Sequence, residues 1–304
     1  MPIAERVRLR PDASSLLETD SKDASPGRTG YTFIQRMLWR DLENARLQIA
    51  TWNVNSVRQR TEHLLRYLKE VSPDVLCLQE IKCVDDAFPR MEVEALGYNV
   101  ATHGQKGFNG VAILSKQPIE VTRGLPGDPS DEHARYIEAV VQDGAGVVRV
   151  ACLYLPNGNP PDTDKYPYKL GWMERLIAHA KSLLTYEEPL VFAGDYNVIP
   201  DARDAYDASA WVNDALYLPQ TRARFRTLLN LGLTDALRAT TDEAGLYTFW
   251  DYQAGAWQRN KGIRIDHLLL SPQAADRLQK VTIDKERRAE EKPSDHVPIR
   301  VDLA

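Results

Sequence analysis

Short apolar runs recur along most of the chain, separated by breaks rich in Gly, Pro and Asn, and they alternate with stretches of helical period. The runs at 47–52, 74–80, 111–115, 137–141, 147–154, 190–193, 263–270 and 297–301 predict strands. Most are apolar at consecutive positions instead of every second one, the pattern of strands covered on both faces. Gly144-Ala145-Gly146 marks a hairpin between two of them. Leu64, Leu65, Leu68 and Val71 share one helical face that ends before Pro73. Leu170, Met173, Leu176, Ile177, Ala180 and Leu184 mark a longer helix, and a third is expected over 221–231. Hairpins mixed with helical crossovers predict an α/β protein of packed sheets with helices outside.

Residues 1–45 break this pattern. They mix Ser, Asp, Pro and Gly without apolar period and read as a flexible extension, or as sequence upstream of a true start at Met37. No second break in composition follows, so 46–304 is expected to form one domain. The length of 304 residues, with 43% hydrophobic and 27% charged positions, suits a globular enzyme with a sizeable core. No apolar run approaches a membrane span and no signal-peptide pattern opens the chain, which argues against a membrane protein. Cys77, Cys83 and Cys152 form no CxxC pair, and two of them lie in apolar runs. Buried thiols in a reducing cytoplasm are the expectation. A net charge of −5 gives no basic field for passive nucleic-acid binding. It does not count against an enzyme whose acids hold a cation.

The chemistry gathers where strands end. Asn53 and Asn55 follow the first strand and Glu80 the second; Tyr154 and Asn157 follow the 147–154 run. Gly194-Asp195-Tyr196-Asn197 closes the 190–193 run, with Gly194 expected to turn the backbone out of the sheet. Ser294-Asp295-His296 precedes the last strand. Asp266 lies within an apolar run, where a carboxylate needs a cation or a histidine; a local pair with Arg264 is the plain alternative. His296 has carboxylates at hand to fix its tautomer and raise its pKa, which would let it donate to a phosphate oxygen as a cation. Oxygen donors dominate and no Cys/His cluster exists, so the implied ion is Mg²⁺, or Mn²⁺ in its place, and not zinc. Arg222, Arg224 and Arg226 read as a solvated helix face.

The ordered motifs WNVNSVR (52–58), LQEIK (78–82), FNGVAILS (108–115), YLPNG (154–158), GDYNVIP (194–200), YTFWDY (247–252), GIRIDHLLLS (262–271) and KPSDHVPIR (292–300) strongly resemble the exonuclease III type of the endonuclease/exonuclease/phosphatase superfamily. The resemblance runs from about Leu47 to the C-terminus. It implies a DNase I-like four-layer α/β sandwich of two packed mixed β-sheets flanked by helices. It also implies a monomeric, Mg²⁺-dependent DNA repair nuclease acting on duplex DNA: a 3′→5′ exonuclease that also incises 5′ to abasic sites and removes 3′-blocking groups. By position, Glu80 is the principal metal ligand, with Asn53 and Asp295 around the ion, and Asp195 and Asn197 as further candidate ligands. Asp195 is similar to the residue that activates water, Asn197 to the one that orients the phosphate, and Tyr154 to the active-site tyrosine. His296, held by Asp266, matches the histidine at the scissile phosphate. Arg58, Arg135 and Asn157 are expected at the DNA, with Phe249 and Trp250 at a lesion pocket, in an order that some relatives reverse. Two alternatives share part of this pattern: a lipid or inositol-phosphate phosphodiesterase, which would lack the aromatic loop, and a DNA-binding relative without catalysis, which would lack a metal or base residue.

Overall fold

The computed structural model describes residues 46–144 and 146–304, and among them twelve strands form two six-stranded sheets. The first sheet holds β1 (Leu47–Asn53), β2 (Val75–Gln79), β3 (Asn99–His103) and β4 (Val111–Ser115), joined late in the chain by β11 (Leu278–Ile283) and β12 (Ile299–Leu303). Its order is β11-β12-β1-β2-β4-β3. The second holds β5 (Ile119–Arg123), β6 (Tyr136–Gln142), β7 (Val147–Tyr154), β8 (Leu190–Asp195), β9 (Thr234–Asp235) and β10 (Asp266–Leu270), in the order β5-β6-β7-β8-β10-β9. Each sheet has one parallel pair near its centre, β1 with β2 and β7 with β8. Each pair is joined by a helical crossover, as parallel strands require: α1 (Thr61–Glu70) in the first sheet and, after the short α2 (Arg90–Glu94), α3 (Lys165–Leu184) in the second.

The strands alternate between two apolar environments, which explains their unbroken apolar runs. Ile49, Cys77 and Ile113 of the first sheet meet Val150, Cys152 and Val191 of the second in the layer between the sheets. Their neighbours along the strands, Ala50, Leu76 and Leu78, face outward onto Leu64, Tyr67 and Leu68 of α1. On the far side Ala151, Leu153 and Phe192 pack on Trp172, Met173 and Leu176 of α3 and on Phe225 of α4 (Pro219–Asn230). Burying each such aliphatic or aromatic side chain contributes about 1.5–3 kcal/mol. Helices, two sheets and helices thus make the four-layer α/β sandwich.

The four strands that the hydrophobic pattern does not predict, β3, β5, β9 and β11, are the four sheet edges. An edge strand buries less, so its sequence carries less apolar signal; β5 reads Ile-Glu-Val-Thr-Arg, with three exposed or half-exposed polar positions. Two expectations near the site are corrected. Gly194 does not turn the chain but lies inside β8, where a Cβ would come within 2.0 Å of the Leu153 carbonyl oxygen. Asp266 is not interior to its strand but begins β10, because of 263–265 only Ile263 pairs, and that in isolated bridges. The last strand starts at Ile299 and not at 297, after Pro298, which has no N–H for a ladder. All three cysteines are free and buried, as expected. The expectation for 1–45 lies outside the described residues.

Candidate active site

The two parallel pairs end at one rim. Asn53 closes β1 opposite Gln79, and Tyr154 closes β7 opposite Asp195. Across the rim, Asn53 Nδ2 donates to Glu80 Oε1 and to Asp195 Oδ2, both at 2.9 Å, so one amide spans the two sheets. Its Oδ1 accepts from the Asn55 N–H at 3.0 Å. Asn53 therefore holds two acids at a fixed separation. Glu80 leaves β2 with φ +51°, a left-handed conformation costly for a residue of its kind. Burial would raise its pKa, but Lys82, with Nζ 2.7 Å from Oε2, and Asn53 hold it below the ordinary value. Lys82 also donates to Asn55 Oδ1 at 2.6 Å, and Asn55 Nδ2 donates to Asp295 Oδ1 at 3.0 Å. A polar chain thus links Glu80 to Asp295.

His296 stands between two acids. Its Nδ1 donates to Asp266 Oδ2 at 2.9 Å, and its Nε2 lies 3.8 Å from Asp195 Oδ2. Asp266 faces Asp195 in the register of β10 with β8, which sets the spacing. Burial alone would push the imidazole down; Asp266 and then Asp195 override it and raise the pKa to about 10. Asp195 itself is pushed up to about 7, by burial first, against the favourable charge of His296 and with added repulsion from Asp266 and Glu80. The Arg264 alternative fails: that guanidinium is fully buried against Asp204 and Asp235, at 2.7 and 2.9 Å.

Asn197 follows β8 with φ +48°, and its N–H donates to Asp195 Oδ1 at 2.9 Å. Its Nδ2 donates to the Leu155 carbonyl, and its Oδ1 accepts from Asn157 Nδ2, both at 3.0 Å. With Oδ1 so engaged, Asn197 is better placed as a donor than as a metal ligand. Burial and then the Glu80 charge push the Tyr154 pKa well up, so it stays a neutral donor. The Arg135 guanidinium lies 4.7 Å over the Tyr154 ring.

Glu80, Tyr154, Asn157, Asp195, Asn197, Asp295 and His296 line one cleft of about 240 Å³. Its apolar wall comes from Trp211, Leu216, Phe249, Ile263 and Ile265. Phe249 is half-buried, with its ring 4.9 Å from that of His296. Trp250 is not at the cleft: it is fully buried between Tyr247 and Trp257, because neighbours on extended backbone point to opposite sides. Arg58 is exposed and lines a separate surface groove with Asp85, Asp86 and Phe88. Arg224 pairs with Glu174, in keeping with a solvated face.

Four contributors carried weak sequence signals. Trp211 sits in a polar stretch with no periodicity. Ile263 and Ile265 resemble strand core. Lys169 breaks the buried stripe of α3 between Tyr166 and Met173, an oddity the sequence did display. It is fully buried, and burial pushes its pKa down to about 7, against the pull of Asp195 and Asp214.

Oxygen-bearing acids crowded on the floor of a cleft fit a hard divalent cation. Asp195, raised first by burial, is further disfavoured in its ionised form by its neighbours Asp266 and Glu80. Asp195, Asp266 and His296 present ligand atoms within 4.8 Å of one another. That trio suits a metal poorly, because a His296 held protonated by Asp266 has no free lone pair. Glu80 and Asp295 line the same cleft and add carboxylate oxygens to the donor set.

The sequence profile of the Endonuclease/Exonuclease/phosphatase family matches residues 50–296. Exodeoxyribonuclease III of Haemophilus influenzae is 35% identical over 262 residues, covering 83% of this chain and 98% of that protein. The fold superposes on a 3′ phosphatase from Neisseria solved with a product DNA hairpin, at TM-score 0.82 and 39% identity, covering 85% of this chain and 99% of the other. An AP endonuclease from Archaeoglobus fulgidus gives TM-score 0.80 and 38% identity, covering 84% and 98%.

Proposed function

The chain belongs to the endonuclease/exonuclease/phosphatase family, and we propose that it is a Mg²⁺-dependent DNA repair nuclease of the exodeoxyribonuclease III kind. Its substrates are duplex DNA with 3′ ends, 3′-blocking groups or abasic sites, cut by hydrolysis of a phosphodiester. The observation that carries this reading is the line Asp266–His296–Asp195 on the floor of a cleft that also collects Glu80, Asp295 and Asn197.

Hydrolysis of a phosphodiester needs a deprotonated water, neutralised non-bridging oxygens and a stabilised leaving alkoxide. Asp195, raised by burial to about 7, accepts the proton of the attacking water. His296, cationic below about 10, donates from Nε2 to a non-bridging oxygen. Asn197 Nδ2 gives one hydrogen to Leu155 and keeps the second for the phosphate. A bound Mg²⁺ at Glu80 and Asp295 would supply further charge neutralisation for the phosphate and the leaving oxygen. The apolar wall of Phe249, Trp211 and Ile265 suits a sugar that carries no base, or a displaced 3′ terminus.

The similarity to an exodeoxyribonuclease, an AP endonuclease and a 3′ phosphatase supports this substrate class over a lipid or inositol phosphate. The three free, buried cysteines fit a reducing cytoplasm. A monomer is the working unit in this reading. The test is one gel with three duplexes: a recessed 3′ end, an internal abasic analogue and a 3′-phosphate, each with Mg²⁺ or EDTA. Cleavage that needs Mg²⁺ is expected; no cleavage of any duplex with metal present would refute the proposal.

A further inference from the structure

Lys169 is the charged side chain beneath the site whose role the chemistry above leaves open. It projects from α3 and is fully buried, yet among the described residues it makes no close ion pair. Its Nζ donates to two main-chain carbonyls, that of Asn157 at 3.0 Å and that of Asn197 at 2.5 Å. One carbonyl belongs to the loop after β7, the other to the loop after β8. The side chains of the same two residues are joined at 3.0 Å, so each loop is fixed twice to the other. The loop after β7 is shaped around the lysine: Gly158 has φ +86°, and a Cβ there would come within 2.6 Å of Lys169 Cδ.

Burying an ammonium is costly unless it is well partnered, and a plain structural contact between helix and loops would be served as well by an apolar side chain. What a carbon side chain cannot do is turn two carbonyls inward. At Asn197 this matters, because the left-handed backbone at φ +48° sets the direction of the carboxamide beside Asp195.

We propose that Lys169 is a positioning residue for phosphodiester hydrolysis: by gripping the carbonyls of Asn157 and Asn197, its Nζ fixes the pair of carboxamides that meets the substrate phosphate. This rests on the nuclease reading, and it adds to it a residue that touches neither substrate nor metal. Displacing such groups by about 1 Å costs on the order of 10²-fold in rate.

The test uses the full chain, with Lys169→Met, which keeps the bulk but removes the donors, and Lys169→Ala. Rates on an abasic-analogue duplex at saturating Mg²⁺ give kcat and KM. Amide exchange over 155–160 and 195–200, read by mass spectrometry without DNA, reports the loops. Lys169→Met is expected to lose about 10–100-fold in kcat with KM within about threefold of wild type, the signature of a contact that matters to the transition state. Exchange in both loops rises. Ethylammonium, small enough for the vacated space, restores part of the kcat of Lys169→Ala, while tetramethylammonium at equal ionic strength does not. A kcat within threefold of wild type, a loss carried by KM alone, or equal effects of the two cations would overturn the proposal. A wild-type chain that cuts no duplex would defeat the nuclease reading; unchanged loop exchange in Lys169→Met would still, by itself, defeat the role of Lys169.

Discussion

His296 Nδ1 donates to Asp266 Oδ2 at 2.9 Å, and this bond decides the charge of the ring that faces the phosphate. The imidazole is buried, which opposes its charge, and Asp266 is the largest influence restoring it.

Replacing Asp266 by Asn therefore moves the pH dependence in a definite direction. In the wild type, activity that needs cationic His296 persists below about 10 and falls as pH rises through that value. In Asp266→Asn the alkaline fall shifts toward neutrality, and kcat at pH 7.5 drops by roughly 10²-fold. The same raised pKa contributes stability that is fully present below the ordinary 6.5 and lost as pH rises through about 10. Rate profiles and metal-free unfolding midpoints across that window check both; an unshifted alkaline limb would show that Asp266 does not hold the proton.

Phe249 and Trp250 are expected to separate cleanly. Trp250 fills a core site, so Trp250→Ala costs about 3–5 kcal/mol of stability. Phe249 is half-buried at the cleft, so Phe249→Ala leaves stability nearly intact and changes the ratio of abasic-site incision to exonuclease rate. Denaturant melts and paired rate measurements tell them apart; the reverse pattern would put Trp250 at the substrate.

Gly194→Ala tests why a glycine precedes the catalytic acid. A Cβ there would come within 2.0 Å of the Leu153 carbonyl oxygen of the neighbouring parallel strand. Backbone must move, at a cost of about 1–3 kcal/mol or more, and Asp195 moves with it. The expected result is lower stability together with lower kcat. A variant with wild-type stability and rate would mean that the strand spacing is slack.

Much of this was legible in the sequence, for a physical reason. A central strand buried on both faces must be apolar throughout, so an acid at its end, as at Glu80 or Asp195, stands out. The edge strands β3, β5, β9 and β11 gave no such contrast, since they bury one face or less. Adjacent aromatics at 249 and 250 announce that one ring faces each way, but which ring faces the cleft depends on the bridge of Phe249 with His296, a long-range pairing. Lys169 and Trp211 escaped for a related reason: their burial is set by loops that the chain brings together from afar. Asp266 was recognised as needing a partner, and its register with Asp195 supplied the geometry.

The central claim is that Asp195 activates water within an intact, metal-binding site. Asp195→Asn keeps the size and, through its one oxygen, the bond from either Asn53 Nδ2 or the Asn197 N–H, while removing the base. Single-turnover cleavage of an abasic-analogue duplex with Mg²⁺, measured beside DNA affinity, is the direct test. Loss of about 10³-fold or more in rate, with Kd for DNA within about threefold, is the expected result. Near-wild-type cleavage by a pure preparation of Asp195→Asn would contradict it.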